Sequence, residues 1–191
     1  MTTTQNFAVP LDGTKGTLLM PKPKNRFRVR VFNFGPVTGG LTFTQNVQTC
    51  NRPNLTHDEH EVHSYNSIGY YAGKGKWNPL EITLRDDVTS SVAKLIWHQM
   101  QKQMNHIQQT TPLAGVSYMF DTKVDALDGG ENALETYYYE GCFITAVNGG
   151  DWDYASSDAS TYQLTIRFQN CTGEGDLFPL APAISLGSTL S

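Results

Sequence analysis

Three imidazoles at three-residue intervals, His57-x-x-His60-x-x-His63, stand with Asp58, Glu59 and Glu61 between them. They are the side chains of this sequence whose types and spacing come nearest to doing chemistry. On a helix the rings would lie roughly on one face and ligate zinc. The segment HEVHSY reads as strand, and on a strand His60 points away from both His57 and His63. HEVH also lacks the HExxH spacing of the zinc proteases. A solvated or interface strand is the expectation here. The rival from another class is a small metal-binding β-barrel enzyme centred on these histidines. GKGKW (73–77) has no GxxxxGK[ST] signature and no helix directly after it to receive a phosphate, so it reads as a flexible basic loop. Asp151 and Asp153 flank Trp152, but acid–base catalysis needs carboxylates that converge in a pocket. They read as a loop with a hydrophobic anchor. There is no GxSxG elbow and no CxxC pair. Cys50, Cys142 and Cys171, odd in number and widely spaced, read as reduced thiols. No catalytic residue, metal ligand or cofactor is expected.

The elements that carry these residues are mostly strands. RFRVRVFNF (26–34) alternates Phe27, Val29 and Val31 against Arg26, Arg28 and Arg30, and after Gly39-Gly40 the run LTFTQNVQ (41–48) resumes the period of two. Together they predict a β-hairpin. A polar loop (49–57), a strand-like start at 60 and a glycine-loosened loop (66–78) follow. LEITLRD (80–86) alternates as a strand. Val88, Val92, Leu95, Ile96, Met100, Met104 and Ile107 then recur at three-to-four spacing, predicting one amphipathic helix near 88–109. Asp87 or Thr89 is placed to accept from its first-turn N–H groups. Strands are expected over 115–126 and 133–147 about a turn at Asp128-Gly129-Gly130, and again over TYQLTIRFQN (161–170). The fold class is therefore mainly β (α+β), a barrel- or sandwich-like domain over 26–171 with one helix. An extended N-terminal arm (1–25), with a short strand at Thr17–Met20, precedes it, and a proline-broken C-terminal tail (172–191) follows.

The chain has 191 residues, 39% hydrophobic and only 17% charged, with a formal net charge of −4. This composition excludes disorder for the body of the chain, and the acidic balance disfavours gripping nucleic acid through phosphates. No apolar run approaches the roughly 18 residues of a membrane span, and the N-terminus lacks a signal-peptide core.

NPLEITLRDDVTSSVAKLIWHQ (78–99) resembles the Ile-Thr-Leu strand and following helix of the inner tail-tube proteins of contractile-tailed bacteriophages, which share their fold with Hcp of type VI secretion. FRVRVFNFGPVTGGLTFTQNVQ resembles their first hairpin. ETYYYEGCFITAVNGGDWDYASSDASTYQLTIRFQN resembles their closing strands, with a Trp- and Ser-containing loop. The sequence departs from the pattern in the tryptophan of GKGKWNP and in Asp86-Asp87 before the helix.

The resemblance implies a structural virion protein, not an enzyme. Its copies would form hexameric rings, closed as one barrel, that stack into the hollow tail tube through which double-stranded DNA is ejected. Tail sheath, baseplate and tail-completion proteins are the implied partners, with no membrane. The implied location is the virion tail, assembled in the bacterial host cytoplasm. A baseplate tube initiator or a secretion-system ring protein of the same fold is the alternative within the class. A neutral or acidic lumen lets DNA slide, and Glu135, Thr161, Gln163 and Thr165 are the candidate lumen residues. Arg26, Arg28, Arg30 and Arg52 are placed at subunit contacts. Tyr70, Tyr71, Trp77, Leu177, Phe178 and Leu180 are candidate anchors between subunits or rings, with packing on their own domain as the alternative for each.

Overall fold

A computed structural model describes residues 22–112, 118–130 and 132–174. Ten strands and one helix occupy them: β1 (Phe27–Phe32), β2 (Gly40–Thr42), β3 (Val47–Cys50), β4 (Leu55–Ser64), β5 (Ser67–Trp77), β6 (Leu80–Arg85), α1 (Ser91–Gln103), β7 (Phe120–Leu127), β8 (Ala133–Asn148), β9 (Thr161–Arg167) and β10 (Asn170–Gly173). The expected short strand at Thr17–Met20 and the tail beyond Glu174, with Leu177, Phe178 and Leu180, lie outside the described residues.

The spine of the body is β8. Its first part pairs with β7 on one edge and β10 on the other, and its last part pairs with β9. The strand changes partners around Gly141, whose φ of 61° is left-handed and whose Cβ, if present, would lie 2.8 Å from the Gln169 side chain. Only glycine fits both conditions without strain. Two antiparallel sheets thus share one strand: β2-β1-β7-β8 with β10, and β8-β9-β6-β3. Among the described residues the path stays open, with no closed barrel.

Alternation in sequence becomes a two-faced sheet wherever one face is buried. Val29 and Val31 of the first sheet meet Leu80, Ile82, Leu84, Leu164 and Ile166 of the second in one core, which Val92 and Ile96 of α1 join. Phe34 stands edge-on to Phe43 and Phe120, with ring centroids 5.4 and 4.9 Å away. The mainly β, sandwich-like fold with one amphipathic helix is the one expected.

Several boundaries differ. The predicted hairpin over 26–48 splits: β2 pairs β1, but the chain turns at Phe43 to Asn46, with Phe43 buried, and β3 joins β6 in the other sheet. The helix is shorter than 88–109. Asp87 does accept from the first turn, through its carboxylate to the Ser91 N–H (2.8 Å) and hydroxyl (2.6 Å), and these bonds hold its pKa below the usual carboxylate range. At the other end Met104 is extended, and the Asn105 side chain accepts from the N–H groups of Ile107 and Gln108, capturing donors a further turn would need. Val88 and Ile107 keep helical spacing but lie exposed outside the helix. The expected loop at 66–78, GKGKW included, is β5 over almost its whole length, and the one at 49–57 holds the ends of β3 and β4. Of the strand expected over 115–126, residues 115–117 lie outside the described residues, and β7 begins at Phe120. β10 runs across the boundary placed at 172.

Candidate assembly surfaces

Among the described residues β4 and β5 pair only with each other, from Leu55↔Trp77 to Ser64↔Ser67, about the turn at Tyr65 and Asn66. All ten residues of β4 are exposed, and in β5 only Gly73 and Trp77 are half-covered. A two-stranded ribbon alone in water is marginal at best. Yet this one carries Val62, Ile68, Tyr70 and Tyr71 open to solvent. The register sets His57, Glu59, Glu61 and His63 on one face, opposite Gly75, Ala72, Tyr70 and Ile68. His60 lies on the other face, stacked on Tyr71 at 5.1 Å. His57 and His60 lie over glycines: a Cβ on Gly73 would come within 2.7 Å of the His60 ring, and one on Gly75 within 3.2 Å of His57. Among the described residues no group of His, Cys, Asp and Glu is arranged to hold a metal ion.

At its root the ribbon is fixed to the body. Trp77 packs against Phe168, with centroids 5.8 Å apart, and its carbonyl accepts from Arg167 at 2.8 Å. Of the proposed aromatic anchors, Tyr70 and Tyr71 stand open and Trp77 packs on its own domain.

The sheets end in three short strands. Among the described residues, β2, β3 and β10 each pair on one side only. The free edge of the last part of β8 is treated differently. Gln103 donates to the Ile144 carbonyl at 2.9 Å and accepts from the Ile144 N–H at 3.0 Å, so one side-chain amide imitates a neighbouring strand. Gln99, fully buried one turn earlier, accepts from the Gly35 N–H and donates to the Tyr118 carbonyl. Hydrophobic periodicity missed both glutamines. Their only sequence signal is the four-residue spacing on a helix.

Thr161, Gln163 and Thr165 share the outer face of the second sheet. Gln163 stands in a row with Thr49, Thr83 and Asn148, Thr165 with Glu81 and Ala146, and Thr161 opposite Arg85. The result is a wall mainly of hydroxyls and amides, with one charge of each sign, Glu81 and Arg85. Glu135 stands apart on the first sheet, accepting from Lys22 and from the Tyr137 hydroxyl; the Lys22 contact draws its pKa down.

Arg28 and Arg30 lie on the outer face of the first sheet around Asp125, whose side chain is 0% exposed. Arg28 donates twice to one carboxylate oxygen, at 2.9 and 3.1 Å, and Arg30 once at 2.8 Å. The Thr136 hydroxyl donates to the other oxygen at 2.9 Å. Burial works against the Asp125 charge, but these hydrogen bonds and the neighbouring cations, Lys123 among them, outweigh it and lower its pKa. The arginines are thus structural within the subunit, whatever else they meet. Arg26 and Arg52 line a separate cavity.

The thiols are shielded. Burial pushes Cys50 and Cys142 up to about 12 and Cys171 to about 11. None is an available thiolate near neutral pH. No helix among the described residues is long and apolar enough to cross a membrane.

Several solved structures share the fold. A chain of the anti-feeding prophage baseplate, a sixfold-symmetrised cryo-EM structure, superposes with a TM-score of 0.65 and 13% identity over 82% of this chain and 97% of that one. A chain from the sheath/tube terminator of an extracellular contractile injection system in the extended state gives 0.59, with 18% identity over 83% and 100%. One from the sheath–tube complex of such a system gives 0.55, with 18% identity over 82% and 93%. No protein-family model matches the sequence, and no curated protein matches it. At these identities the likeness is one of fold, and it is the tube-type fold that the sequence resemblance implied.

Proposed function

We propose that this chain is a structural tube subunit of a contractile tail. Its copies close into rings, six to a ring, and the rings stack into the hollow tube of a phage virion through which double-stranded DNA leaves. The observation that carries the reading is the β4–β5 ribbon, open on both faces in a fold otherwise packed to a dry core. Unpaired strand edges add to it, because an edge left open invites another chain, and copies arranged in a ring remove every edge at once. The wall around Thr161, Gln163 and Thr165 suits a lumen. It offers DNA few cations to hold it, and at physiological salt only charges within about 8 Å of the passing duplex are felt.

Sheath and baseplate proteins are the outer partners in this reading, tail-completion proteins the terminal ones, and assembly takes place in the bacterial cytoplasm. The role is conduction rather than catalysis. A second reading, a baseplate tube initiator, is favoured by the likeness to the anti-feeding prophage baseplate chain. Negative-stain electron microscopy of concentrated purified protein tests both. Long hollow filaments of uniform width are expected of the tube subunit and single rings of the initiator. Isolated molecules at every concentration would overturn both.

A further inference from the structure

Two features at opposite poles of the body complement one another. At one pole, where β8 begins, a cavity of about 620 Å³ opens between the ends of the two sheets. Phe27, Val124, Leu127, Leu134 and Tyr137 form its apolar walls. Lys22, Lys24, Arg26 and Arg52 also line it. Lys22 is paired with Glu135, and Arg26 donates to the Asp128 carbonyl at 2.6 Å. The lining therefore combines apolar walls with a cationic excess, although Glu135 also feels Arg52.

At the other pole, where β8 ends, the loop 149–160 leads into β9. Trp152 is 91% exposed and Tyr154 fully exposed, with Asp151, Asp153 and Asp158 beside them and no basic residue in the loop. The loop has its own internal order. Asp153 accepts from the Ala155 N–H, and Ser156 and Asp158 bond to one another. The two features lie beyond opposite ends of the sixteen-residue β8, and no residue of the loop lines the cavity of its own chain.

We propose that loop 149–160 of one copy seats in the cavity of the next copy along the stack. Trp152 and Tyr154 are the anchors, and Asp151 and Asp153 face Lys24 and Arg52. This rests on the stacked-ring reading and names its contact. A contact between different patches at opposite ends of a subunit does not close on itself, so it extends as a filament. Large aromatics in a desolvated pocket supply most of the energy of such interfaces, and the charged rim fixes register.

The test is stacking, read by sedimentation and microscopy of the full chain. Trp152→Ala, Lys24→Glu with Arg52→Glu, and Asp151→Lys with Asp153→Lys should each raise the concentration needed for stacking about tenfold or more. All of these positions are exposed, so melting temperature should not move. The two charge reversals combined in one chain should restore stacking. In parallel, with Cys50 replaced by serine in both, Lys24→Cys copies mixed with Asp153→Cys copies should form disulfide-linked pairs that neither variant forms alone. Wild-type protein that stacks while Trp152→Ala stacks equally well would overturn this contact and leave the tube reading intact. So would a combined reversal that fails to rescue stacking when each single reversal blocks it. Wild-type protein that never stacks would bring down the tube reading itself, and the absent cross-link would bring this contact down with it.

Discussion

The body and the β4–β5 ribbon are built from the same element and stabilised in opposite ways. In the body, strands such as β6 and β9 bury every second side chain, and the helix covers what the sheets leave open. At roughly 25 cal/mol per Å² of apolar surface removed from water, such strands need no outside partner. The ribbon buries almost nothing. Its cross-strand pairs, His60 on Tyr71 and Glu61 beside Tyr70, contribute only a few tenths of a kcal/mol to about 1 kcal/mol each. One region is complete within a single chain. The other is left uncovered among the described residues.

Substitutions that act inside the body should show the largest effects in dispersed protein. Asp125→Ala leaves Arg28, Arg30 and Lys123 around an empty centre and should cost about 3–5 kcal/mol, read as a fall in the denaturant midpoint. The pH dependence of the milder Asp125→Asn sharpens this. The folded carboxyl has a lowered pKa, so its contribution is fully present above the unfolded value near 3.9 and is lost as pH falls through the folded one. The stability gap between wild type and Asp125→Asn should therefore hold from neutral pH to about 5 and close only in stronger acid. A gap that closed between pH 7 and 5 would contradict the ion cluster.

Ile96→Ala, at a fully buried helix position, should cost about 2–5 kcal/mol. Gln99→Leu removes the acceptor for the Gly35 N–H and the donor to the Tyr118 carbonyl and should cost about 1–3 kcal/mol, with thermal melting as the measure. The ribbon should give the smallest effect of all. Ile68→Ser with Tyr70→Ser should leave the melting of dispersed protein within about 0.5 kcal/mol of wild type, as expected of exposed positions. The same double change should suppress filament formation. A large loss of intrinsic stability would mean that the ribbon is already packed within its own subunit.

What the sequence revealed follows the same division. Where one face is buried, the period of two is written plainly, as in Tyr162, Leu164, Ile166 and Phe168, and the strand is read correctly. The ribbon has two wet faces, so its residues follow no period, and Gly69, Gly73 and Gly75 look like loop. In the structure two of those glycines make room for imidazoles across the strand. The helix was overextended because Val88 and Ile107 continue the apolar spacing, whereas local bonds made by Asp87 and Asn105 set its real ends. Thr161, Gln163 and Thr165 do share one face, since alternation alone fixes that. Glu135 does not join them, because which sheet a strand enters depends on the turn at Gly141 and not on its own pattern.

Hydrogen exchange followed peptide by peptide, in dispersed and in assembled protein, tests the central claim most directly. Amides of β6, β8 and β9 should be protected in both states. Those of β4 and β5 should exchange freely in the dispersed chain and become strongly protected on assembly. Ribbon amides already protected in the dispersed chain, or still unprotected in the assembled one, would contradict the account.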